Sequence, residues 1–164
     1  MDEMPPPKLE VTDVLQMLEA ATRARVQRFL RMAQERGFHL KVTEGFRTWE
    51  RQEELYAQGR TKRGKVVTWA RGGHSWHNYG RAIDVAFIEN GKLTWEGNWN
   101  ELGPIGEAAG LEWGGRWKGK KCDTDHFQFT NGMTIQQAME LRAKQDDYEE
   151  DWQARTQPQS KSGN

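Results

Sequence analysis

Cysteine, long apolar runs and net charge are what this 164-residue sequence has least of. It holds one cysteine, Cys122, so no disulfide can form within the chain, and a reducing compartment suits it. No stretch of about 18 apolar residues runs together, so the sequence predicts no transmembrane helix. Lys and Arg together number 24, and Asp and Glu together also number 24. This balance argues against a protein that coats nucleic acid or an anionic membrane.

The first ten residues, MDEMPPPKLE, carry acids and three prolines, whereas a secretory signal begins with basic residues and continues with an apolar stretch. We therefore expect no Sec-type signal. The length fits one domain, which we predict over residues 1–145. Residues 146–164 are poor in apolar side chains and are predicted to form a polar, flexible tail. A monomer is the default expectation.

Hydrophobic periodicity predicts an α+β domain with a small antiparallel sheet and flanking helices. We expect the N-terminal helix to cover the sheet face opposite the cleft. The long segment without period, residues 60–73, is predicted to be a loop that borders this cleft. The predicted elements are helices over 11–36, 49–58 and 99–109, a last helix from about Thr134, and strands over 39–43, 82–88, 93–95 and 126–130.

The predicted strands place three metal-ligating side chains within reach of one another. Alternation along residues 82–88 puts Asp84 between two alanines, on the face opposite the larger apolar side chains. His126 and Gln128 likewise share the face opposite the neighbouring phenylalanines. His77 precedes Asp84 by seven residues, and an intervening glycine can turn the chain back. His, His and carboxylate are a common ligand set for catalytic zinc, which needs three protein ligands and an open position.

Three other residues that could ligate a metal are weaker candidates. His74 lies three residues before His77, but in a loop this spacing has no fixed geometry, so contact with a ligand or with substrate is the better reading. Thiolate ligation by Cys122 would add a fourth protein ligand and close the site to water. His39 has no ligand partner nearby in the sequence and is interpreted as structural.

Several motifs resemble those of a known family of zinc peptidases. Residues 75–84, SWHNYGRAID, fit the pattern Ser-x-His-x-x-Gly-x-Ala-x-Asp of the D-Ala-D-Ala and L-alanyl-D-glutamate metallopeptidases. Residues 113–117 (WGGRW) and 123–127 (DTDHF) resemble the second half of that signature, and residues 45–48 (GFRT) resemble its upstream arginine motif. The chain therefore resembles the VanY-like zinc metallopeptidases of the LAS superfamily, and most of all their L-alanyl-D-glutamate endopeptidases. A fold like that of hedgehog and D-Ala-D-Ala peptidases is implied.

The resemblance also implies roles for individual residues. His77, Asp84 and His126 would bind Zn²⁺, and Asp123, three residues before the last ligand, would act as the general base. Asp125 is a rival base; it departs from the pattern of the nearest relatives, and it would point away if the strand has already begun at this residue.

Two further residues are expected to contact substrate. Arg47 would bind the scissile carbonyl as it becomes negatively charged, or a substrate carboxylate. Its alternative role is a structural ion pair with Glu44 or Glu50. Ser75 resembles a position that hydrogen-bonds the substrate backbone, although a serine in a loop is also a common turn former.

The implied function is hydrolysis of the L-alanyl-D-glutamate bond in the stem peptide of bacterial peptidoglycan. A phage endolysin with antimicrobial action fits the expected lack of an export signal: it would stay in the host cytoplasm until release through a holin. The alternatives are a D-Ala-D-Ala carboxypeptidase of the same family and a non-catalytic, zinc-stabilised binding module like the hedgehog relatives. Asp123 and Arg47 together favour an enzyme, because a binding module needs no base beside the metal.

Overall fold

The structure is a computed structural model that describes residues 12–156. The chain divides into two compact units, residues 1–131 and 132–164. No helix within the described range is long and apolar enough to cross a membrane. The first unit contains α1 (Thr12–Gln16), α2 (Ala20–Glu35), β1 (Leu40–Glu44), α3 (Trp49–Ala57), β2 (Ala82–Glu89), β3 (Lys92–Thr94), α4 (Trp99–Ala108), β4 (Glu112–Trp113) and β5 (His126–Gln128), and the second contains α5 (Ile135–Thr156).

The strands of the first unit form one antiparallel sheet in the order β1-β2-β5-β4, and β3 pairs with the second half of β2. In this register Asp84 of β2 lies opposite Glu44 of β1 on one side and His126 of β5 on the other. The predicted α+β class is thereby confirmed. Strand β4 has only two residues, which are too few to show alternation. No strand was therefore predicted for this segment.

One face of this sheet forms the hydrophobic core. Ile83, Val85 and Phe127 are fully buried there. Phe29 of α2 packs on Phe127 with 4.5 Å between ring centroids. Helix α4 also packs directly on Phe127, since a Cβ atom at Gly106 would lie 2.4 Å from the Phe127 ring. Helices α2 and α4 thus cover this face, as predicted for the N-terminal helix, and leave the opposite face for the polar side chains.

The single helix predicted over residues 11–36 is two helices, α1 and α2, separated at Met17–Glu19. The Glu19 carboxylate caps α2 by accepting hydrogen bonds from the backbone N–H groups of Ala21 and Thr22, both at 2.9 Å. The Arg23 guanidinium donates to the Leu15 and Leu18 carbonyls at 3.0 and 2.9 Å. Glu19 and Arg23 thus provide hydrogen-bond partners for the backbone groups at the break. Apolar residues keep their helical spacing across the break, so the sequence pattern does not show it.

The cap predicts a pH-dependent contribution to stability. Burial raises the pKa of Glu19, but hydrogen bonds from Ala21 and Thr22 and the charge of Arg81 outweigh it and lower the pKa below 4.5. A carboxylate with a lowered folded-state pKa stabilises the fold above its unfolded pKa and loses this effect as the pH falls through the folded value. Glu19→Gln should therefore cost about 1 kcal/mol at pH 7 and progressively less below about pH 4.5.

Thermal unfolding of both proteins between pH 3 and pH 7 measures this difference. Glu35→Gln, at the exposed C-terminal end of α2, is the matched control and should change stability by less than about 0.5 kcal/mol at every pH. A Glu19→Gln penalty that stays constant down to pH 3 would show that the charge of Glu19 contributes nothing.

A polar, flexible tail was predicted for residues 146–164, but α5 continues to Thr156, so the first part of this segment is helical. Two ion pairs at i,i+4 spacing support this extension: Arg142 with Asp146 at 3.4 Å and Asp151 with Arg155 at 2.9 Å. Residues 157–164 lie outside the described range.

Candidate active site

Three side chains predicted to bind metal converge on the polar face of the sheet. Asp84 Oδ1 lies 3.4 Å from His77 Nε2 and 3.1 Å from His126 Nδ1. The strand register explains the second distance, since Asp84 and His126 are direct neighbours across β2 and β5. In tetrahedral zinc sites, with bonds of about 2.0–2.1 Å, ligand atoms lie about 3.4 Å apart. The spacing of these three atoms therefore suits zinc.

His77 reaches the strands from a 3-10 turn over Trp76–Tyr79. The Ser75 hydroxyl begins this turn by accepting a hydrogen bond from His77 N–H at 3.3 Å. Gly80 ends it with a φ of 64°, where a Cβ atom would lie 2.9 Å from the Met17 carbonyl oxygen. Ser75 thus has the turn-forming role that the sequence left open.

The buried Asn78 ties this turn to its surroundings. Its side-chain oxygen accepts hydrogen bonds from Gly73 N–H at 3.1 Å and Ser75 N–H at 3.2 Å. Its amide nitrogen donates to the Arg47 carbonyl at 2.9 Å. The turn that carries His77 is therefore fixed to the segment that carries Arg47.

Hydrogen bonds select the histidine tautomers that can ligate a metal. His77 Nδ1 lies 2.8 Å from the Gly45 carbonyl oxygen, which only accepts, so Nδ1 carries the proton and Nε2 keeps its lone pair. His126 Nε2 lies 2.8 Å from Gln128 Oε1, and Gln128 Nε2 donates to Glu112 Oε2 at 3.0 Å. Because the Glu112 carboxylate only accepts hydrogen bonds, the orientation of the Gln128 amide is fixed with its oxygen toward His126. His126 therefore donates from Nε2, and its Nδ1 faces Asp84. Such partners orient metal ligands and increase their basicity.

The electrostatics of the triad favour a negative aspartate. Burial raises the pKa of Asp84, but His126 and His77, when protonated also at the nitrogens that face Asp84, outweigh this effect by hydrogen bonding and positive charge and hold the pKa well below its usual range. For His126, burial lowers the pKa, but the hydrogen bond and charge of Asp84 outweigh it and raise the pKa. Asp84 therefore stays ionised at neutral pH, as a metal ligand must be.

Asp123 and Asp125 both lie beside the triad. Carboxylate oxygens of Asp84, Asp123 and Asp125 lie within 4.8 Å of one another, so Asp125 does not point away, as it would if the strand already included it. The reason is that β5 begins only at His126, after Asp125. Burial, a hydrogen bond with Asp123 and the charge of Asp84 raise the pKa of Asp125 to about 8. Two hydrogen-bonded carboxyl groups are thus close to the candidate metal ligands.

Arg47 makes the ion pair considered from the sequence and also faces the candidate metal site. Its Nε donates to Glu44 at 2.9 Å, which makes the expected ion pair, with Glu44 as the partner. A second nitrogen, Nη1, donates to Gln52 Oε1 at 2.9 Å. The remaining nitrogen, Nη2, lies 3.9 Å from Asp84 Oδ2 and so faces the candidate metal ligands. Glu44 and Gln52 therefore hold the guanidinium in place with one edge toward the site.

Gln52 is a positioning residue that the sequence analysis missed. It is fully buried, and its amide nitrogen donates to Thr68 Oγ1 at 3.1 Å and to the Ala70 carbonyl at 2.7 Å. One side chain thus connects Arg47 to the loop over residues 60–73. The only sequence signal would have been a glutamine on the inner face of an amphipathic helix.

Gln52→Leu should lower stability by about 2–4 kcal/mol, because it leaves several buried polar groups without partners. Thermal unfolding measures the loss, expected as a fall in melting temperature of about 4–16 °C. Gln58→Leu is the control, since the Gln58 amide bonds the Lys65 carbonyl at the surface. Equal small effects of the two substitutions would contradict the structural importance of Gln52.

The weaker candidates remain outside the cluster. His74 and Cys122 are both exposed. Within residues 12–156, neither belongs to a group of converging metal-ligating atoms. The Cys122 thiol instead lies 3.7 Å from the Gly115 carbonyl oxygen.

Comparison with known proteins agrees with this geometry. The family model for VanY, D-alanyl-D-alanine carboxypeptidase, matches residues 15–109. The chain is 46% identical over 107 residues to the peptidoglycan L-alanyl-D-glutamate endopeptidase CwlK of Bacillus subtilis (strain 168). That match covers 58% of this chain and 64% of CwlK, so it spans less than two thirds of the relative.

Solved structures with a similar fold include two peptidases. The L-Ala D-Glu endopeptidase ChiX of Serratia marcescens is 26% identical, with a TM-score of 0.56 over 72% of this chain and 84% of ChiX. A vancomycin-resistance D,D-pentapeptidase VanY in complex with Zn(II) is 18% identical, with a TM-score of 0.53 over 74% of this chain and 83% of VanY, and shows the fold alone. The family model matches more than half of the residues of this chain, and the chain therefore belongs to the VanY D-alanyl-D-alanine carboxypeptidase family.

Proposed function

We propose that this protein is a zinc-dependent peptidase that hydrolyses the L-alanyl-D-glutamate bond in the stem peptide of bacterial peptidoglycan. The observation that carries the proposal is the convergence of His77, Asp84 and His126, with two carboxylates beside them. The relative CwlK, at 46% identity, and the structural neighbour ChiX both carry names that state this bond.

Zinc held by the triad would supply a Lewis acid that polarises the scissile carbonyl and acidifies water. Asp123 is the proposed general base, which takes the proton from the attacking water and passes it to the leaving amine. Arg47 would stabilise negative charge on the carbonyl oxygen, because Glu44 and Gln52 fix its guanidinium with Nη2 toward Asp84. Ser75 contributes by capping the turn that carries His77, and its partly exposed position also allows contact with the substrate backbone.

Carboxypeptidase action on D-Ala-D-Ala is the second candidate, favoured by the description of the matching family. It needs the same metal and base but requires the substrate's terminal carboxylate to be bound. A non-catalytic binding module is disfavoured, because the carboxylates of Asp123 and Asp125 would only add repulsion to a site that performs no proton transfer.

The proposal extends to the biological setting of a monomeric phage endolysin. Such an enzyme would be made in the host cytoplasm, reach the wall after holin-type release, lyse the cell and act as an antimicrobial. The single exposed Cys122 is compatible with synthesis in a reducing cytoplasm. Co-expression with a holin in a bacterial host should cause lysis that neither protein causes alone.

Mass spectrometry of purified peptidoglycan, digested by the zinc-loaded protein, tests the activity. Cleavage at the proposed bond leaves L-alanine on the muramic acid and releases peptides that begin with D-glutamate. Loss of terminal D-alanine alone would identify the carboxypeptidase. Intact peptidoglycan after incubation with folded, zinc-loaded protein would favour the binding module.

A further inference from the structure

Trp117 occupies an unusual position for a large apolar side chain. Its ring centroid lies 5.1 Å from that of the metal-ligand residue His126. The residue is nevertheless 37% exposed, whereas Trp113, four residues earlier, is buried in the core at 5%. An indole surface is therefore open to solvent directly beside the proposed zinc site.

The loop that carries Trp117 is tightly closed. The backbone N–H groups of Trp117 and Asp123 both donate to the Gly114 carbonyl, at 3.1 and 3.0 Å. Gly114 is necessary for this closure, since a Cβ atom there would lie 2.4 Å from the Asp123 carbonyl oxygen. The same carbonyl thus fixes the backbone of Trp117 and the backbone of the proposed base, Asp123, on one loop.

A second exposed tryptophan adjoins this loop. Trp69 is 54% exposed, and its indole nitrogen donates to the Lys120 carbonyl at 3.3 Å. The hydrogen bond connects the loop over residues 60–73 to the loop over residues 114–123. One exposed tryptophan thus lies on the loop that carries the proposed base, and a second is hydrogen-bonded to that loop.

The chemistry of the proposed substrate places a sugar ring within reach of this position. L-Alanine is the first residue of the stem peptide, and a lactyl group joins its nitrogen to the pyranose ring of muramic acid. The alanine and the lactyl group together span about 7 Å at most, by the extended length of two residues. If the L-alanyl-D-glutamate bond is cut, the pyranose must therefore lie close to the zinc ligands. A cut at the far end of the stem peptide would leave the sugar several residues away.

We propose that the exposed indole of Trp117 is a binding platform for the muramyl pyranose of the substrate, with Trp69 extending it along the glycan. This inference rests on the proposed function. An aromatic face presents a broad apolar surface of the kind that ring C–H groups pack against, and the indole N–H adds a polar edge. The enzyme would consequently distinguish a stem peptide still attached to glycan from one already released.

The test compares kcat/KM on two substrates, a disaccharide tetrapeptide and the same tetrapeptide with an acetylated L-alanine nitrogen. Wild type should prefer the disaccharide tetrapeptide. Trp117→Ala should lose about tenfold on it, the size of one well-packed aromatic contact, and less than about threefold on the acetylated peptide. Trp117→Phe, which keeps an aromatic face, should recover most of the preference. Trp95→Ala, at a 50% exposed tryptophan beyond β3, is the matched control and should leave both values unchanged.

Zinc affinity and melting temperature, measured for each variant, separate sugar binding from support of His126. Equal losses on both substrates, or weakened zinc binding in Trp117→Phe as well as Trp117→Ala, would overturn the platform and make Trp117 a support for the metal ligand. Wild type that cuts both substrates equally would also overturn it. Wild type that cuts neither, although folded and zinc-loaded, would reject the proposed function, and the platform with it.

Discussion

Asp84→Asn is expected to weaken zinc binding by at least about 100-fold and to abolish peptidase activity. Structural zinc sites bind the ion with about 10–16 kcal/mol, so one of three ligands accounts for several kcal/mol of the binding free energy. Each tenfold change in zinc affinity corresponds to only about 1.4 kcal/mol. Asparagine keeps the shape of the side chain but removes the charge that both histidines face. The substitution thus tests the negative ligand with little change in packing.

Calorimetric titration with zinc measures this affinity, and thermal unfolding gives a second measure. Zinc at 100 times its dissociation constant stabilises a protein by about 2.7 kcal/mol, which for this chain length raises the melting temperature by about 5–11 °C. Asp84→Asn should show almost none of this rise at the same zinc concentration. Glu89→Gln, at the exposed end of the same strand, is the control and should retain it.

A different result would relocate the metal. Asp84 also belongs to the group of converging carboxylates formed with Asp123 and Asp125. If His77→Ala and His126→Ala bound zinc normally while Asp123→Asn did not, the metal would lie among the carboxylates and not at the triad. Zinc's preference for nitrogen ligands makes the triad the expected site.

The sequence predicted the centre of this site well because strand alternation is a strict geometric rule. Asp84 and His126 had to point to the face opposite Ile83 and Phe127, and the register then made them neighbours. A charged aspartate between two alanines, on a strand whose other face is apolar, already required a partner. Local patterns therefore sufficed for these ligands.

Contacts between distant residues could not be predicted in the same way. Gly45 binds His77 across 32 positions, and Gln52 binds Ala70 across 18, so no local pattern contains either hydrogen bond. Gln128 was predicted to share the face of His126, but its role depends on Glu112 of β4, a strand too short to recognise. The orienting groups thus depend on tertiary structure, whereas the ligands they orient do not.

The position of Asp125 shows a limit of the alternation rule itself. Alternation determines side-chain direction only within a strand, and the prediction that Asp125 points away assumed that β5 had already begun. In the structure the strand begins at His126, its predicted first residue, so Asp125 lies outside it. Because the alternation rule does not reach this residue, it could not show that a third carboxylate lies near Asp84.

Asp123→Asn should lower kcat by about 10²–10⁴-fold, the usual contribution of a general base, while the protein still binds zinc. Asparagine cannot accept the proton of the attacking water but fills the same space. Asp125→Asn should cost less than about tenfold, because Asp125 acts on the proposed base only through its hydrogen bond with Asp123. An asparagine amide can replace a protonated carboxyl as the hydrogen-bond donor to Asp123.

The pH profile of kcat distinguishes the two carboxyl groups further. A cation at the triad would lower the pKa of Asp125 from about 8, so the profile is measured on zinc-loaded protein. If Asp123 is the base, Asp123→Asn should remove the acidic limb of the profile together with most of the activity. Asp125→Asn should keep that limb and remove only the change that follows ionisation of Asp125 at higher pH. If Asp125→Asn lowers kcat as much as Asp123→Asn does, with zinc retained in both, proton transfer would instead belong to the coupled pair. If Asp125→Asn lowers kcat more, proton transfer would belong to Asp125.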